Sequence, residues 1–455
     1  MYKENYRGKK VSVIGAGVSG KALALLACKL GAAVFVSDLK KVPEDTVKEF
    51  DDAGILWEEE GNSERVLDAD EIVLSSGIRH EIPILDQART LGIPVTGELD
   101  FVYPFLSGKI IAVTGSNGKT TTASMTGFFL EKAGVSVITG GNIGNPAANA
   151  AFSETDCVVL EVSSFQLNVV RKFKCNVAVV TNLAPDHIDW HGSYRNYVLA
   201  KANAVKSLVP GGHAICQERD MQELAVPKEM GIPLSWDRSA DARQGIFMDR
   251  GKNSAFIFTG EGEAPVKLFD FDSVKLLGSH NLENTAMALA SIYLLGQKLP
   301  CPSVISAYEP PRHRCAPAGS VRGVTFVDDS KGTNVAATVA AMGSLEGNKI
   351  MILGGQGKGE DYAPLAEAVI RYAKCAVLLG EEKEKIALAL EAAGFRTFTK
   401  AGTMAEAVEA AYGKAVAGDT VLLSPACTSW DMYPNYGARG DHFCEIVKRI
   451  IERES

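Results

Sequence analysis

The chain has 455 residues, 46% apolar and 22% charged, the composition of a soluble globular protein with material for about three domains. Its formal charge of −8, with no run of Lys or Arg, argues against nucleic acid as the main partner. The nine cysteines are scattered, odd in number and never in a C-x-x-C pair, and no run of 18 apolar residues occurs, so reduced thiols in a cytoplasmic protein are expected, with no disulfides, zinc site, signal peptide or membrane span.

Residues 1–96 alternate strand and helix signals as an open parallel sheet does. A strand from Lys9 to Ile14 runs into the turn Gly15-Ala16-Gly17-Val18-Ser19-Gly20, then a helix and a second strand ending at Asp38. This is the dinucleotide fingerprint, but its glycines answer a geometric need, diphosphate at a helix N-terminus, that any diphosphate ligand meets equally well. A nicotinamide oxidoreductase and a different nucleotide-linked substrate therefore both remain open. A second glycine turn, Ser75-Ser76-Gly77-Ile78, follows the strand Ile72-Val73-Leu74.

Residues 97–300 contain the strongest signal. The apolar run from Lys109 to Val113 ends in Thr114-Gly115-Ser116-Asn117-Gly118-Lys119-Thr120-Thr121, a glycine-flanked turn opening a helix with Lys-Thr. Such a turn wraps backbone N–H groups around phosphate, offers an ammonium to the terminal phosphates and a hydroxyl to Mg²⁺. Only two residues separate the glycines where the usual pattern has four. Downstream, Gly141-Asn142-Ile143-Gly144 precedes the strand Cys157 to Leu160, which delivers Glu161, the magnesium candidate, ahead of Val162-Ser163-Ser164-Phe165-Gln166-Leu167. The strand Val177 to Thr181 opens into a loop with Asp186, His187, Asp189 and His191, whose spacing is not that of a zinc site. Lys201 follows on a helix, and by composition alone it is a surface lysine. From Pro210 to Leu277, short alternating runs predict antiparallel hairpins on the edge of the central sheet. Asn281, at the start of the next helix, reads either as an N-cap or as an amide near a nucleotide.

Residues 301–455 return to strand–helix alternation. Strands Val324 to Val327, Lys349 to Leu353, Cys375 to Leu379 and Thr420 to Leu423 are followed by polar loops 328–334, 354–359 and 424–431. Function at strand C-termini is the rule for such sheets. Arg312-His313-Arg314 reads as a basic cluster able to meet phosphate.

With these residues laid out, the chain resembles the Mur ligase family from end to end. The resemblance rests on the phosphate loop, Gly141 to Gly144, Glu161 to Leu167, Asp186-His187, His313-Arg314, Asp329-Ser330-Lys331 and Ser424-Pro425-Ala426-Cys427. The Ser-Ser-Phe-Gln-Leu and Ser-Pro-Ala-Cys runs look like the branch that adds D-glutamate. Two departures stand out: Cys315-Ala316 follows His313-Arg314 where the family commonly has an apolar residue and Glu, and Gly357 stands where Asp is frequent.

The resemblance implies an α/β fold of three domains: a Rossmann-like UDP-substrate domain (1–96), a central P-loop ATPase domain with a mostly parallel sheet (97–300) and a Rossmann-like amino-acid domain (301–455). It implies ATP-dependent amide ligation through an acyl phosphate in peptidoglycan precursor synthesis, joining D-glutamate to UDP-N-acetylmuramoyl-L-alanine, by a monomer whose partners are small molecules. Another Mur ligase or a folylpolyglutamate synthase-like ligase is the alternative, the latter opposed by the N-terminal diphosphate domain. Two Mg²⁺ sites are implied, with Thr120, Glu161, His187 and a CO₂-derived carbamate on Lys201 as ligands. Gly115 to Thr121, Asn281, Arg314 and Asp329 would contact ATP, and Lys331 its phosphate or the intermediate. Gly15, Ser19, Asp38, Gly77, Asn142 and His187 would hold the UDP-substrate, and Thr333, Lys358, Ser429 and Tyr436 the D-glutamate.

Overall fold

The computed structural model describes residues 6–142, 144–236, 244–260, 264–276, 278–310, 312–345 and 347–454. Ile143 of the glycine motif and residues 1–5 lie outside them. Three sheets carry the architecture, and their chain packing forms two compact units: Met1–Asn182, Val198–Ser273 and Thr285–Ser306 in the first, and Leu183–Tyr197, Val274–Asn284 and Ala307–Ser455 in the second.

The first unit holds two sheets. One is wholly parallel, in the spatial order Leu56–Glu58, Ala33–Ser37, Lys10–Ile14, Glu71–Leu74, Val95–Gly97. Strand order reverses between Lys10–Ile14 and Glu71–Leu74, the switch point where an open α/β sheet leaves a crevice for ligand. Both glycine turns begin there. Their strands are buried because Val11, Val13, Ile72 and Val73 meet helices on either face, which is why they read as near-continuous apolar runs.

The larger sheet runs Val266–Asp270, Ser254–Phe258, Gly245–Asp249, Gly231–Ser235, Leu208–Gln217, Cys175–Val180, Lys109–Thr114, Cys157–Glu161, Val137–Gly141. Its switch point falls at Lys109–Thr114, which pairs with Cys175–Val180 on one side and Cys157–Glu161 on the other, so the ends of three parallel strands converge on the phosphate loop.

The expectation of antiparallel hairpins over 210–277 holds for its second half and needs correction in its first. Gly245–Asp249, Ser254–Phe258 and Val266–Asp270 pair antiparallel in succession at the sheet edge, whereas Leu208–Gln217 and Gly231–Ser235 extend the parallel sheet as far as Gly245–Asp249. Parallel pairing needs a crossover, and residues 218–230 supply one with a 3-10 turn, Glu218–Asp220, in place of a full helix. Asn281 also differs from the N-cap expectation, because the helix Ser279–Leu294 starts before it and places it in the first turn.

The second unit holds the sheet Ala316–Val321, Val324–Asp328, Thr420–Leu423, Lys349–Gly354, Ala373–Leu379, Phe398–Lys400, parallel except for its first pair. Loops after Val324–Asp328, Thr420–Leu423 and Lys349–Gly354 leave adjacent strands at the same sheet end. Among the described residues, no helix is long and apolar enough to cross a membrane.

Candidate functional site

In the first unit, Gly115 has φ +135° and no room for a side chain, since a Cβ there would stand 1.9 Å from Thr181 Oγ1. The loop is fastened to the neighbouring strand end: Ser116 N–H donates to the Asn182 carbonyl (2.9 Å), Asn117 N–H to Asn182 Oδ1 (3.0 Å), and Asn182 Nδ2 to the Asn117 carbonyl (3.0 Å). Gly118 closes the turn with left-handed φ of 82° as the N-cap of the helix Lys119–Lys132. Lys119 Nζ lies against the Gly115 and Ser116 carbonyls at 2.9 and 2.7 Å. Its ammonium is thus held over the loop by the backbone it would bridge to phosphate.

Thr120 Oγ1 donates to Glu161 Oε2 at 2.7 Å, joining the first turn of that helix to the end of the strand Cys157–Glu161. The Asn142 backbone N–H donates to the Glu161 carbonyl at 2.8 Å, and the Asn142 amide stands 3.5 Å from Glu161 Oε1. Lys201 is 1% exposed, and its Nζ donates to the Gly115 carbonyl at 2.7 Å. Composition alone makes it a surface lysine; the structure buries it against the phosphate loop. Lys119, Thr120, Asn142, Glu161 and Lys201 therefore converge within one unit.

Among the described residues, no three His, Cys, Asp or Glu side chains gather as an all-protein metal cage. Magnesium does not need one: it is commonly bound by one or two carboxylates plus substrate phosphates. A lone buried Glu161 beside the Thr120 hydroxyl is an oxygen donor set of that kind, and it fits Mg²⁺.

At the other switch point of this unit, the close packing of the turn onto its helix depends on Gly20, where a Cβ would stand 1.8 Å from the Gly15 carbonyl oxygen. Asp38 Oδ2 accepts the Ala16 N–H at 2.6 Å and its Oδ1 the Lys40 N–H at 2.8 Å, so this acid braces the turn. Ser19 lies in the first turn of the helix Val18–Lys29, and Gly77 has φ 86° with open space around it.

In the second unit, His187 has φ 53° and caps the short helix Ile188–His191, its Nε2 3.7 Å from Asp186 Oδ2. Asp186 is engaged by Lys358 Nζ at 3.0 Å and by Asn334 Nδ2 at 3.3 Å. Lys331 places its ammonium 4.0 Å from the centre of the Tyr436 ring, and Thr333 N–H donates to the Lys331 carbonyl. Ser429 is buried, its carbonyl accepting the Met432 and Tyr433 N–H groups. Asn281 Oδ1 accepts from Asn284 Nδ2 at 3.3 Å.

Asp329 is buried and accepts from Ser424 Oγ (2.7 Å) and the Cys315 N–H (3.2 Å). Burial pushes its carboxyl up to about 7 against those hydrogen bonds and the Arg314 charge. Of the basic cluster, His313 is buried with Nδ1 2.6 Å from Asp328 Oδ2, Arg312 pairs with Asp441 at the surface, and Arg314 lies beside Asp329.

Sequence reasoning missed Arg439. Its guanidinium, 3% exposed, donates to Ser330 Oγ (2.9 Å), the Ser330 carbonyl (2.7 Å), and the Thr428 and Cys427 carbonyls (2.9 and 3.1 Å). One side chain thus ties the loop of Asp329 and Lys331 to the loop of Ser429. Burial lowers Arg439 to about 10, so it stays charged at neutral pH. Its only sequence signal is an arginine among the apolar positions of the helix Tyr436–Glu454.

Comparison with known proteins bears on all three sheets. The Mur ligase middle domain is matched over residues 113–292, the glutamate ligase domain of Mur ligases over 313–427, and the MurD N-terminal domain over 10–83. The chain is 35% identical over 456 residues to the UDP-N-acetylmuramoylalanine–D-glutamate ligase of Koribacter versatilis (strain Ellin345), covering 98% of this chain and 99% of that one. It is 36% identical over 455 residues to the ligase of the same name from Pelotomaculum thermopropionicum, covering 98% of each. Among solved structures, the UDP-N-acetylmuramate-alanine ligase of Thermotoga maritima shares the fold with a TM-score of 0.60 at 17% identity, over 97% of this chain and all of that one. The three-domain α/β chain with mostly parallel sheets belongs to the Mur ligase family.

Proposed function

We propose that the protein is an ATP-dependent ligase that joins D-glutamate to UDP-N-acetylmuramoyl-L-alanine in peptidoglycan precursor synthesis, releasing ADP and phosphate. The observation that carries this reading is the 2.7 Å contact of Thr120 with Glu161 beneath a loop spanned by Lys119, in a chain aligned along its length with relatives bearing that activity's name. In domain terms, residues 1–96 bind the UDP-substrate, 97–300 ATP, and 301–455 the amino acid.

The acceptor carboxylate is a poor acyl donor. It attacks the γ-phosphate, ADP leaves, and the resulting acyl phosphate is attacked by the amine of D-glutamate; the tetrahedral adduct then expels phosphate. Phosphoryl transfer is mostly positioning and charge neutralisation. Lys119 holds the β- and γ-phosphates, with the backbone of Gly115, Ser116, Asn117, Gly118, Thr120 and Thr121 around them. Thr120 and Glu161 would hold Mg²⁺, which when bound would add to the neutralisation of the phosphate oxygens; His187 in the second unit and Lys201 in the first are the further ligand candidates. Lys201, buried against the loop, would carry the carbamate: its amine in neutral form would add to CO₂ and lose a proton to give an anionic group. Asn281, Arg314 and Asp329 contact ATP, and Lys331 steadies the transferred phosphate. Gly15, Ser19, Asp38, Gly77, Asn142 and His187 hold the UDP-substrate. Lys358, Thr333, Ser429 and Tyr436 hold the amino acid, so glutamate competes with Asp186 for the Lys358 ammonium. The reading includes a cytoplasmic monomer acting on small molecules, without a membrane partner, and the charge of −8 supports only the lack of nucleic acid.

The test is phosphate release from ATP with Mg²⁺, UDP-N-acetylmuramoyl-L-alanine and, in turn, D-glutamate, L-glutamate, L-alanine, L-lysine and meso-diaminopimelate. Release with D-glutamate alone is expected. Turnover with a different amino acid reassigns the branch, and silence with all five overturns the substrate reading.

A further inference from the structure

Glu98 lies in neither the N-terminal nor the middle-domain match, and the mechanism above does not use it. It opens the short helix Glu98–Val102, is 2% exposed, and sits where the two sheets of the first unit meet. Its Oε2 accepts from the Ser76 hydroxyl at 2.8 Å, in the glycine turn after Glu71–Leu74, with the Ser19 side chain nearby. From the larger sheet, Gln166 Nε2 donates to the same oxygen at 3.0 Å. The orientation of that amide is set by its own oxygen, which accepts from Ser163 N–H (2.9 Å) and Ser163 Oγ (3.0 Å) in a capping box. Ser163 stands two residues beyond Glu161. Glu98 Oε1 has no hydrogen-bond partner among the described residues.

We infer that Glu98 is a positioning residue for the nucleotide of the acceptor substrate: its buried carboxyl holds the Ser76 hydroxyl of the second glycine turn, with Ser19 of the first turn beside it, and Gln166 anchors that carboxyl to the strand end carrying Glu161. The inference rests on the reading of those turns as the UDP diphosphate site. A buried anion beneath a diphosphate would repel it, and burial raises Glu98 above the usual carboxylate range, favouring the neutral acid. The tie to the larger sheet matters because a serine hydroxyl on a turn has rotational freedom, and a fixed acceptor removes it before the ligand arrives; with its proton turned to Glu98, the Ser76 oxygen faces the nucleotide as an acceptor for a sugar or base donor, and the diphosphate is left to the backbone N–H groups.

The experiment is calorimetric binding of UDP and, separately, of ADP to the full chain and its Glu98→Ala and Glu98→Gln variants. Loss of a buried hydrogen-bonding group predicts UDP affinity weakened about tenfold or more in Glu98→Ala. ADP affinity should stay within about twofold, because the phosphate loop is untouched. Glu98→Gln presents an uncharged acceptor of the same shape and should bring UDP affinity back to within about threefold of the parent. Unchanged UDP affinity in Glu98→Ala, or no recovery in Glu98→Gln, overturns the positioning role while leaving the UDP reading intact. Failure of the parent chain to bind UDP overturns the UDP reading itself. Should Glu98→Ala lose ADP binding as well, Ser76→Ala decides: UDP weakened with ADP kept supports the role, and unchanged UDP affinity overturns it.

Discussion

The first unit contains two glycine turns of the same construction and different chemistry. Each follows a buried parallel strand at a switch point, each opens a helix, and each has a glycine with no space for a Cβ, Gly20 in one and Gly115 in the other. Around Gly15 to Gly20 the nearest charged side chain bonded to the turn is Asp38, which accepts the Ala16 N–H. Around Gly115 to Thr120 an ammonium lies on the loop carbonyls and a carboxylate waits on the Thr120 hydroxyl. Backbone geometry alone therefore selects for phosphate, and the side chains decide whether the phosphate is only held or is also transferred.

Lys119→Ala is the sharpest way to break that comparison. Removing the ammonium should lower turnover by about a thousandfold or more, the scale of a lost charge contact to a transferring phosphoryl group. Stability should fall by only about 1–2 kcal/mol, from two hydrogen bonds to loop carbonyls. UDP affinity should not move, since the other turn has its own strand and helix. Steady-state phosphate release with thermal unfolding measures both; near-normal turnover would sink the assignment of the loop, and a fall in UDP affinity would show that the turns do not act separately.

What was legible in the sequence follows from how local each signal is. The strand–turn–helix over 109–120 is written in consecutive residues, so its buried strand and its turn can be read without tertiary information. Strand direction over 208–258 cannot: short alternating runs separated by Gly and Asp look alike whether the next pairing is parallel or antiparallel. The edge strands Leu56–Glu58 and Phe398–Lys400 are three residues long, too short to stand out. Glu98 and Arg439 act through partners 68 and 109 residues away, and neither local composition nor spacing records such contacts. Lys201 shows the same limit from the other side, since the carbonyl that takes its ammonium, that of Gly115, lies 86 residues earlier.

The comparison extends to the third sheet, where acids are held differently again. Burial pushes both Asp329 and Glu360 up to about 7, the Glu360 value rising further from Asp186 and falling from the Val335 N–H. Both folded values lie above the unfolded ones, near 4, so the folded state binds more protons between about pH 4 and pH 7. Stability from these two groups therefore falls as pH rises through that window and levels off above it. The unfolding midpoint should drop by several degrees between pH 5 and pH 8, and the double change Asp329→Asn with Glu360→Gln should flatten that slope. A slope equally steep in the double variant would mean that other groups set it.

The smallest effect is expected at Asp38, and it bears on the difference between the two turns. Asp38→Asn keeps one acceptor oxygen, so either the Ala16 or the Lys40 N–H keeps its partner while the other faces an amide NH₂. That should cost about 1 kcal/mol of stability. If Asp38 also contacts the nucleotide of the acceptor, the KM for UDP-N-acetylmuramoyl-L-alanine should rise by about three- to tenfold, while that for ATP stays unchanged. Steady-state kinetics with each substrate varied in turn separates the two roles. A lower unfolding midpoint with both KM values unchanged would leave Asp38 a brace of the turn and remove it from the substrate's contacts. The first turn would then recognise its ligand through backbone N–H groups and hydroxyls alone, making the contrast with the lysine-bearing turn complete.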